Sequence, residues 1–124
     1  MFRRFSKYNA KKVEVDGIKF DSKVEAEYYL HLKEMVEEGE IQGFERQVKM
    51  TLQDSFYLEG VKGKIRAITY VVDFKITEKD GSITYIDVKG IETDVFKMKR
   101  KMFMNRYRTP LVTVKKRKGG WVYG

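Results

Sequence analysis

The sequence has no cysteine, a single histidine and a single proline among its 124 residues. The lack of cysteine excludes disulfide bonds, thiolate zinc sites and cysteine nucleophiles. The one histidine, His31, has no second histidine with which to form a two-histidine metal site. Any chemistry of this chain therefore depends on carboxylates, on lysine and arginine, and on hydroxyl groups.

The sequence also lacks a long apolar segment. No run approaches the roughly 20 apolar residues that a membrane-spanning helix requires, and the first twelve residues lack the apolar core of a signal peptide. The 42% hydrophobic and 35% charged residues are typical of a soluble globular protein. We therefore expect a single domain without membrane contact.

Positive charge is concentrated at the two ends of the chain. Residues 1–12 carry a charge of +5 and residues 93–118 a charge of +9, which leaves −6 for the rest of a chain whose net charge is +8. Aromatic residues are interleaved with these cations. This asymmetry is typical of nucleic-acid-binding proteins, although a solvated basic surface is the simpler alternative. The sequence thus predicts a basic N-terminal arm over 1–12, which includes Arg3 and Arg4, and a domain over 13–124.

Caps, turns and alternation of apolar residues predict an α/β (α+β) fold. Asp16-Gly17 predicts a β-hairpin over 13–20, and the capping box from Ser22 to Glu25 predicts a helix to about Glu38. The remaining elements, in chain order, are strands near 47–53, 68–76 and 83–89, a helix from Thr93 to about Tyr107, and strands over 111–114 and within 119–124.

Glu25 is the first candidate site residue. The helical spacing places it in the middle of the apolar stripe that includes Leu32 and Val36, whereas Glu27 lies on the opposite, polar side. A buried ionised carboxylate is costly unless it is paired or binds a metal. The alternative is that Glu25 only completes the cap at Ser22.

Two aspartates interrupt the hydrophobic strands near 68–76 and 83–89. A three-residue loop over 79–81 places Asp73 directly opposite Asp87, roughly 5 Å away, and period-2 alternation places Lys89 on the same face as Asp87. A two-residue loop would instead send the two aspartates to opposite faces. The three-residue register is therefore the prediction.

Opposed carboxylates repel each other unless a cation lies between them. That cation is either Lys89 or a divalent metal, and a site of oxygen ligands alone favours Mg²⁺ or Mn²⁺. The alternative is that Asp73, Asp87 and Lys89 form an ordinary salt-bridged surface.

Four segments, in order, resemble a known family. Residues 20–27 (FDSKVEAE), 72–74 (VDF), 87–90 (DVKG) and 96–103 (FKMKRKMF) are similar to small phage-encoded proteins with the PD-(D/E)XK nuclease fold, which also occurs in restriction endonucleases and archaeal-type Holliday junction resolvases. The similarity covers nearly all of residues 13–115, and Val72 stands where the motif has proline. It implies a restriction-endonuclease-like αβββαβ core, with a mixed central sheet flanked by helices.

The resemblance also implies an activity, namely Mg²⁺-dependent cleavage of branched DNA by a homodimer of phage origin that acts in the cytoplasm of the bacterial host. Asp73, Asp87 and the Val88 carbonyl would bind the metal, and Lys89 would act on the attacking water or the phosphate. Glu25 would bind the metal directly, through water, or at a second metal site. Gln47, at the expected start of a strand, matches a position that is often polar in related nucleases. The alternative is an ordinary exposed glutamine at a strand end. The alternatives are a nuclease acting on flaps, ends or duplex DNA, and a non-catalytic DNA-binding protein.

The second helix completes the predicted DNA contacts. Phe96 and Phe103 share one face and are expected to pack on the sheet, with Lys99 near the same stripe and within reach of the scissile phosphate. The expected phosphate-binding residues on the exposed side are Lys97, Arg100, Lys101 and Arg108. Recognition by DNA shape is expected, since no base-reading element is evident.

Overall fold

The structure is a computed structural model that describes residues 12–124. The basic arm predicted over 1–12, with Arg3 and Arg4, lies outside the described residues except for Lys12. Within the described part, neither helix has the length and apolar character needed to cross a membrane.

The chain begins with the predicted β-hairpin. Strand β1 (Val13–Val15) pairs antiparallel with β2 (Ile18–Phe20). Asp16 and Gly17 both have left-handed backbones, with φ of 54° and 76°, as a two-residue hairpin turn requires. The prediction from Asp16-Gly17 is confirmed.

Helix α1 (Lys23–Glu37) follows directly. The Ser22 hydroxyl accepts a hydrogen bond from the Glu25 backbone N–H at 3.1 Å, which confirms Ser22 as the N-cap. Gly39 ends the helix with φ of 73°, a conformation that favours glycine. The helix buries Tyr28, Tyr29 and Leu32.

Five further strands are β3 (Ile41–Gln53), β4 (Ile68–Glu78), β5 (Ile83–Val88), β6 (Leu111–Arg117) and β7 (Gly120–Tyr123). They form one mixed sheet in the order β3-β4-β5-β6-β7. Strand β5 pairs parallel with β6, and the other neighbours pair antiparallel. Three strands are longer than predicted, since β3 begins at Ile41, β4 ends at Glu78, and β6 continues through the cationic residues to Arg117.

The register of β4 and β5 follows the three-residue loop. Phe74 pairs with Ile86 and Thr77 with Ile83. Gly81 has φ of 91°, and the Glu78 N–H donates to the Ser82 carbonyl at 2.8 Å, which closes the loop. The predicted register is confirmed.

Helix α2 (Asp94–Tyr107) connects the parallel strands β5 and β6. The Thr93 hydroxyl accepts from the Phe96 N–H at 3.1 Å, as predicted for the cap. Arg108 ends the helix in a left-handed conformation with φ of 54°.

Two apolar cores hold the helices to the sheet. One lies beneath α1 and includes Tyr28, Leu32 and Phe74, and the other lies beneath α2 and includes Val72 and Phe103. On β4, Asp73 therefore lies between Val72, which belongs to the core beneath α2, and Phe74, which belongs to the core beneath α1. The α+β class is confirmed, whereas the restriction-endonuclease-like core remains a prediction.

Candidate functional site

The candidate site lies where β4 and β5 separate. Regular pairing ends at Phe74 and Ile86. Beyond it, the Asp73 N–H donates to Asp87 Oδ1 at 2.8 Å, and the Val88 N–H donates to Asp73 Oδ2 at 2.9 Å. Each aspartate thus binds the main chain of the opposite strand, and the two carboxylates lie side by side.

Asp87 is the most enclosed of the acids, with no exposed surface. Besides the Asp73 N–H, its carboxylate accepts a hydrogen bond from the Tyr70 hydroxyl, and its Oδ2 lies 3.6 Å from Lys89 Nζ. Burial and the neighbouring carboxylate of Asp87 raise the pKa of Tyr70, so this hydroxyl keeps its proton. Sequence reasoning missed Tyr70. Its only signal is a hydroxyl-bearing residue three positions before Asp73.

Lys89 is held over aromatic rings beside Asp87. Its Nζ lies 4.3 Å from the centre of the Phe96 ring and 5.7 Å from that of Tyr70. Both distances are within the range of cation–π attraction. The first turn of α2 therefore helps to position the ammonium group at the site.

Glu25 reaches the same region from α1. It is 7% exposed, and its Oε2 accepts a hydrogen bond from Gln47 Nε2 at 3.1 Å and lies 3.8 Å from Arg46 Nη2. Burial raises the pKa of Glu25, and Arg46 opposes that rise. The backbone of Glu25 takes part in the cap at Ser22, but its carboxylate is directed to Gln47 and Arg46.

Gln47 does not begin a strand, contrary to the prediction. It lies six residues inside β3, which starts at Ile41, between the pairs Arg46–Phe74 and Val48–Val72. It is therefore level with Asp73. Its φ of 53° is left-handed, which costs a non-glycine residue about 1–2 kcal/mol. The error arose because β3 starts earlier than predicted. Gly43 and the charged residues 45–46 interrupt the alternation of apolar residues from which a strand is predicted, so the sequence does not indicate the true start.

The electrostatics of Asp73 show that the acids act on one another. Burial, followed by the negative charges of Asp87 and Glu25, raises the pKa of Asp73 to about 7. The Val88 N–H and the Lys89 charge only partly oppose that rise. The site is therefore rich in negative charge that a cation would stabilise.

The donor set suits a hard cation, since it contains only carboxylate and carbonyl oxygens. No group of three or more acidic or histidine side chains within residues 12–124 is arranged to hold a metal ion. Both oxygens of Asp87 already accept hydrogen bonds, but a carboxylate oxygen has a second lone pair that is available to a metal. The chemistry of the donors fits Mg²⁺ or Mn²⁺.

The residues predicted to contact DNA have different environments. Lys97, Lys101 and Arg108 are exposed, and the four-residue spacing of the two lysines puts them on one side of α2. Arg108, at the left-handed C-cap, donates to the Asn105 side-chain oxygen at 3.2 Å. Lys99 Nζ instead donates to the Thr69 carbonyl at 3.3 Å.

Arg100 is half-buried and not exposed, contrary to the expectation, while its contact with a DNA phosphate stays a prediction. Its Nε donates to the Leu111 carbonyl at 2.8 Å and its Nη2 to the Gly124 carbonyl at 3.0 Å. Arg100 therefore connects α2 to the start of β6 and to the last residue. Arg3 and Arg4 lie outside the described residues.

Comparison with known proteins places the chain in a family without assigning a function. Residues 5–119 match the family described as "Protein of unknown function (DUF1064)", and the chain belongs to this family. Neither a curated protein nor a solved structure matches the chain.

Proposed function

We propose that this protein is a metal-dependent endonuclease that hydrolyses phosphodiester bonds in branched DNA, similar to the Holliday junction resolvases with the PD-(D/E)XK fold. One observation carries the proposal. Asp73 and Asp87 lie side by side where β4 and β5 separate, with Lys89 and Glu25 directed to the same region. Carboxylates that converge with one lysine are typical of metal-assisted phosphodiester hydrolysis.

Asp73, Asp87 and the Val88 carbonyl would hold Mg²⁺ or Mn²⁺. When bound, the metal neutralises charge on the phosphate and lowers the pKa of the attacking water. The protein fixes the two aspartates beforehand through their main-chain hydrogen bonds at 2.8 and 2.9 Å. Little reorganisation of these side chains is then needed during the reaction.

Lys89 and Glu25 have supporting roles in this proposal. The Lys89 ammonium, oriented by Phe96 and Asp87, supplies a fixed positive charge that stabilises the increasingly negative phosphoryl group. Glu25, which accepts a hydrogen bond from Gln47, would contact the metal directly or through water.

The exposed cations Lys97, Lys101 and Arg108 supply contacts to the DNA backbone in this proposal. Such contacts position DNA without reading its bases, which agrees with recognition of a branched shape. Symmetric cuts in a four-way junction require two active sites, so we propose that the protein acts as a homodimer.

A non-catalytic DNA-binding protein is the second candidate. Two observations favour it. Asp87 is satisfied by the Tyr70 hydroxyl and the Asp73 N–H, and no metal-binding group is already arranged in the part of the chain that the structure describes. In that case the carboxylates only stabilise the opening between β4 and β5.

Cleavage of a labelled four-way junction in Mg²⁺, compared between the wild type and Asp87→Asn, tests the proposal. We expect the wild type to cut, and Asp87→Asn to bind the junction normally but to lose at least 100-fold in cutting rate. Asp80→Asn, in the exposed turn between β4 and β5, is the matched control and should cut normally. Flap and linear duplex competitors at fixed salt identify the preferred DNA structure.

Binding of the junction by the wild type without cutting in either Mg²⁺ or Mn²⁺ would contradict the nuclease and support the second candidate. Preferential cutting of a flap or of linear duplex would keep the nuclease and correct its substrate. Circular dichroism of both variants verifies that any loss of cutting is not due to unfolding.

A further inference from the structure

The connection between β3 and β4 exposes a cluster of apolar side chains. We call residues 56–66 the β3–β4 tip. Its exposed fractions are 40% for Phe56, 74% for Tyr57, 54% for Leu58 and 48% for Val61. A contiguous patch of exposed apolar side chains often marks an interaction site, whereas single exposed apolar side chains are normal.

The tip has a defined shape. Phe56 and Ile65 form an antiparallel bridge with two main-chain hydrogen bonds of 2.9 and 2.8 Å. The Val61 N–H donates to the Leu58 carbonyl at 3.1 Å, and Gly60 adopts φ of 89°. The apolar side chains are therefore presented on a hairpin and are not folded back onto the body of the protein.

Cations accompany these side chains. Lys62, Lys64 and Arg66 are exposed, and none of them takes part in the ion pairs formed among residues 12–124. Glu59 is the only acid of the tip, since the nearby Asp54 lies outside it and is paired with Arg106 at 3.0 Å. Exposed aromatic rings beside cations suit a nucleic-acid strand, with rings for the bases and cations for the phosphates.

Helix α2 links the tip to the candidate site. Near its end, Arg106 pairs with Asp54, and the Tyr107 hydroxyl donates to the Thr51 carbonyl at 2.7 Å, both at the base of the tip. Near its start, Phe96 lies under Lys89 at 4.3 Å. Fourteen helical residues extend about 21 Å. The cations of α2 therefore lie between the site and the tip.

We propose that the β3–β4 tip binds unpaired bases of a branched DNA by stacking, chiefly through Tyr57, while Lys62, Lys64 and Arg66 contact the adjacent phosphates. This inference rests on the proposed function only in taking DNA as the partner, and it requires no cleavage. A second copy of the chain fits the tip less well. In a two-fold contact through this patch, the cations of one copy would face the same cations of the other.

Binding measured in EDTA tests the inference without cleavage. The probes are a duplex with a three-nucleotide gap that carries 2-aminopurine, and a fully paired duplex of the same length. We expect Tyr57→Ala to weaken binding to the gapped DNA about ten-fold or more and to abolish quenching of 2-aminopurine. Binding to the paired duplex should change less than two-fold. Tyr57→Phe keeps the ring and is the matched control.

The cations have their own test. Affinity for the gapped DNA falls with rising salt, and the slope of log affinity against log salt is steeper when more phosphates are contacted. The triple variant Lys62→Gln, Lys64→Gln, Arg66→Gln should make this slope less steep by about 2–3. An unchanged slope would overturn the assigned phosphate contacts. Because these three side chains are exposed, we expect the triple variant to be as stable as the wild type. Urea unfolding of both proteins verifies that a change in slope is not due to unfolding.

Unchanged affinity and quenching for Tyr57→Ala would overturn the inference, even if the wild type cuts junctions in Mg²⁺. Suppose instead that Tyr57→Ala loses binding to the gapped DNA and that the wild type does not cut junctions. That result would support the inference and contradict the nuclease. Sedimentation identifies the remaining outcome. A dimer that Tyr57→Ala converts to monomers, with the DNA affinity per chain unchanged, would assign the tip to self-association and overturn the inference.

Discussion

The carboxylate of Asp87 accepts a 2.8 Å hydrogen bond from the backbone N–H of Asp73, on the neighbouring strand. The Val88 N–H returns a bond of 2.9 Å to the carboxylate of Asp73. These side chains replace main-chain pairing at the point where β4 and β5 separate. The two acids therefore cannot move apart without leaving buried N–H groups without partners, which costs about 1–3 kcal/mol for each group.

The first prediction concerns the pH dependence of stability in EDTA. In the folded protein the pKa of Asp73 is about 7, above its ordinary value of 3.8. The folded state therefore binds more protons than the unfolded state between these values, so this carboxylate makes stability fall as pH rises from about 4 to about 7. Asp73→Asn removes that fall and should gain about 2–4 kcal/mol relative to wild type between pH 4 and pH 8.

Urea unfolding at pH 4 and pH 8 measures this difference. Glu34→Gln, an exposed acid on α1, is the control and should follow the wild type at both pH values. The difference in the free energy of unfolding between Asp73→Asn and the wild type should be larger at pH 8 than at pH 4. An equal difference at the two pH values would contradict the raised pKa of Asp73 in the folded protein.

The second prediction concerns metal binding. Because Mg²⁺ would neutralise the charge gathered around Asp73, saturating Mg²⁺ at pH 8 should stabilise the wild type by about 2–3 kcal/mol and raise its melting temperature by about 5–10 °C. Asp87→Asn should lose most of that rise. Differential scanning calorimetry measures the shift, with KCl of equal ionic strength as the control. An equal rise for Asp87→Asn would show that the ion binds elsewhere.

The extent to which the sequence predicted this molecule depended on how local each signal is. The turn at Asp16-Gly17, the caps Ser22 and Thr93, and the loop that sets the register of Asp73 and Asp87 all depend on short-range geometry, and the structure agrees with each. The same register led to the site, since it places two acids side by side.

What the sequence did not predict depends on contacts between distant segments. The Tyr70 hydroxyl on β4 donates to Asp87 on the neighbouring strand β5. Arg100 donates to the carbonyl of Gly124, which is 24 positions further along the chain. Neither contact follows from periodicity, which shows only that Arg100 lies off the apolar stripe. Gln47 was placed at a strand end because the first half of β3 has no clear alternation.

The third prediction concerns backbone strain at Gln47. Gln47→Ala should destabilise the protein by about 1–2 kcal/mol, because it removes the hydrogen bond to the buried Glu25. The left-handed φ of 53° and its strain are the same in Gln47→Ala as in the wild type. Gln47→Gly loses the same bond but relieves the strain, so it should be about 1 kcal/mol more stable than Gln47→Ala.

Urea unfolding of both variants provides the comparison. Lys49, also exposed on β3 and without a positive φ, is the control position. There the order should reverse, with alanine more stable than glycine. The same order at both positions would contradict the strained backbone at Gln47.

The fourth prediction concerns Tyr70. Tyr70→Phe removes the hydroxyl that donates to the fully buried Asp87 and leaves a carboxylate oxygen without that partner. We expect a loss of about 1–3 kcal/mol in the free energy of unfolding. Tyr57→Phe, which removes a hydroxyl from a side chain that is 74% exposed, should cost less than about 0.5 kcal/mol. Equal stability of wild type and Tyr70→Phe would mean that Asp87 does not depend on this bond.

The last prediction separates two cations of α2 that the sequence treats alike. Arg100 donates to the Leu111 and Gly124 carbonyls, whereas Lys97 is exposed. Arg100→Ala should therefore destabilise the fold by about 1–3 kcal/mol because it removes both bonds and the packing of the side-chain stem. Lys97→Ala should leave stability within about 0.5 kcal/mol of wild type and reduce the salt slope of junction binding by about 1. Urea unfolding and titrations at several salt concentrations measure the two effects. A stability loss for Lys97→Ala as large as that for Arg100→Ala would contradict the separate roles, because both side chains would then support the fold.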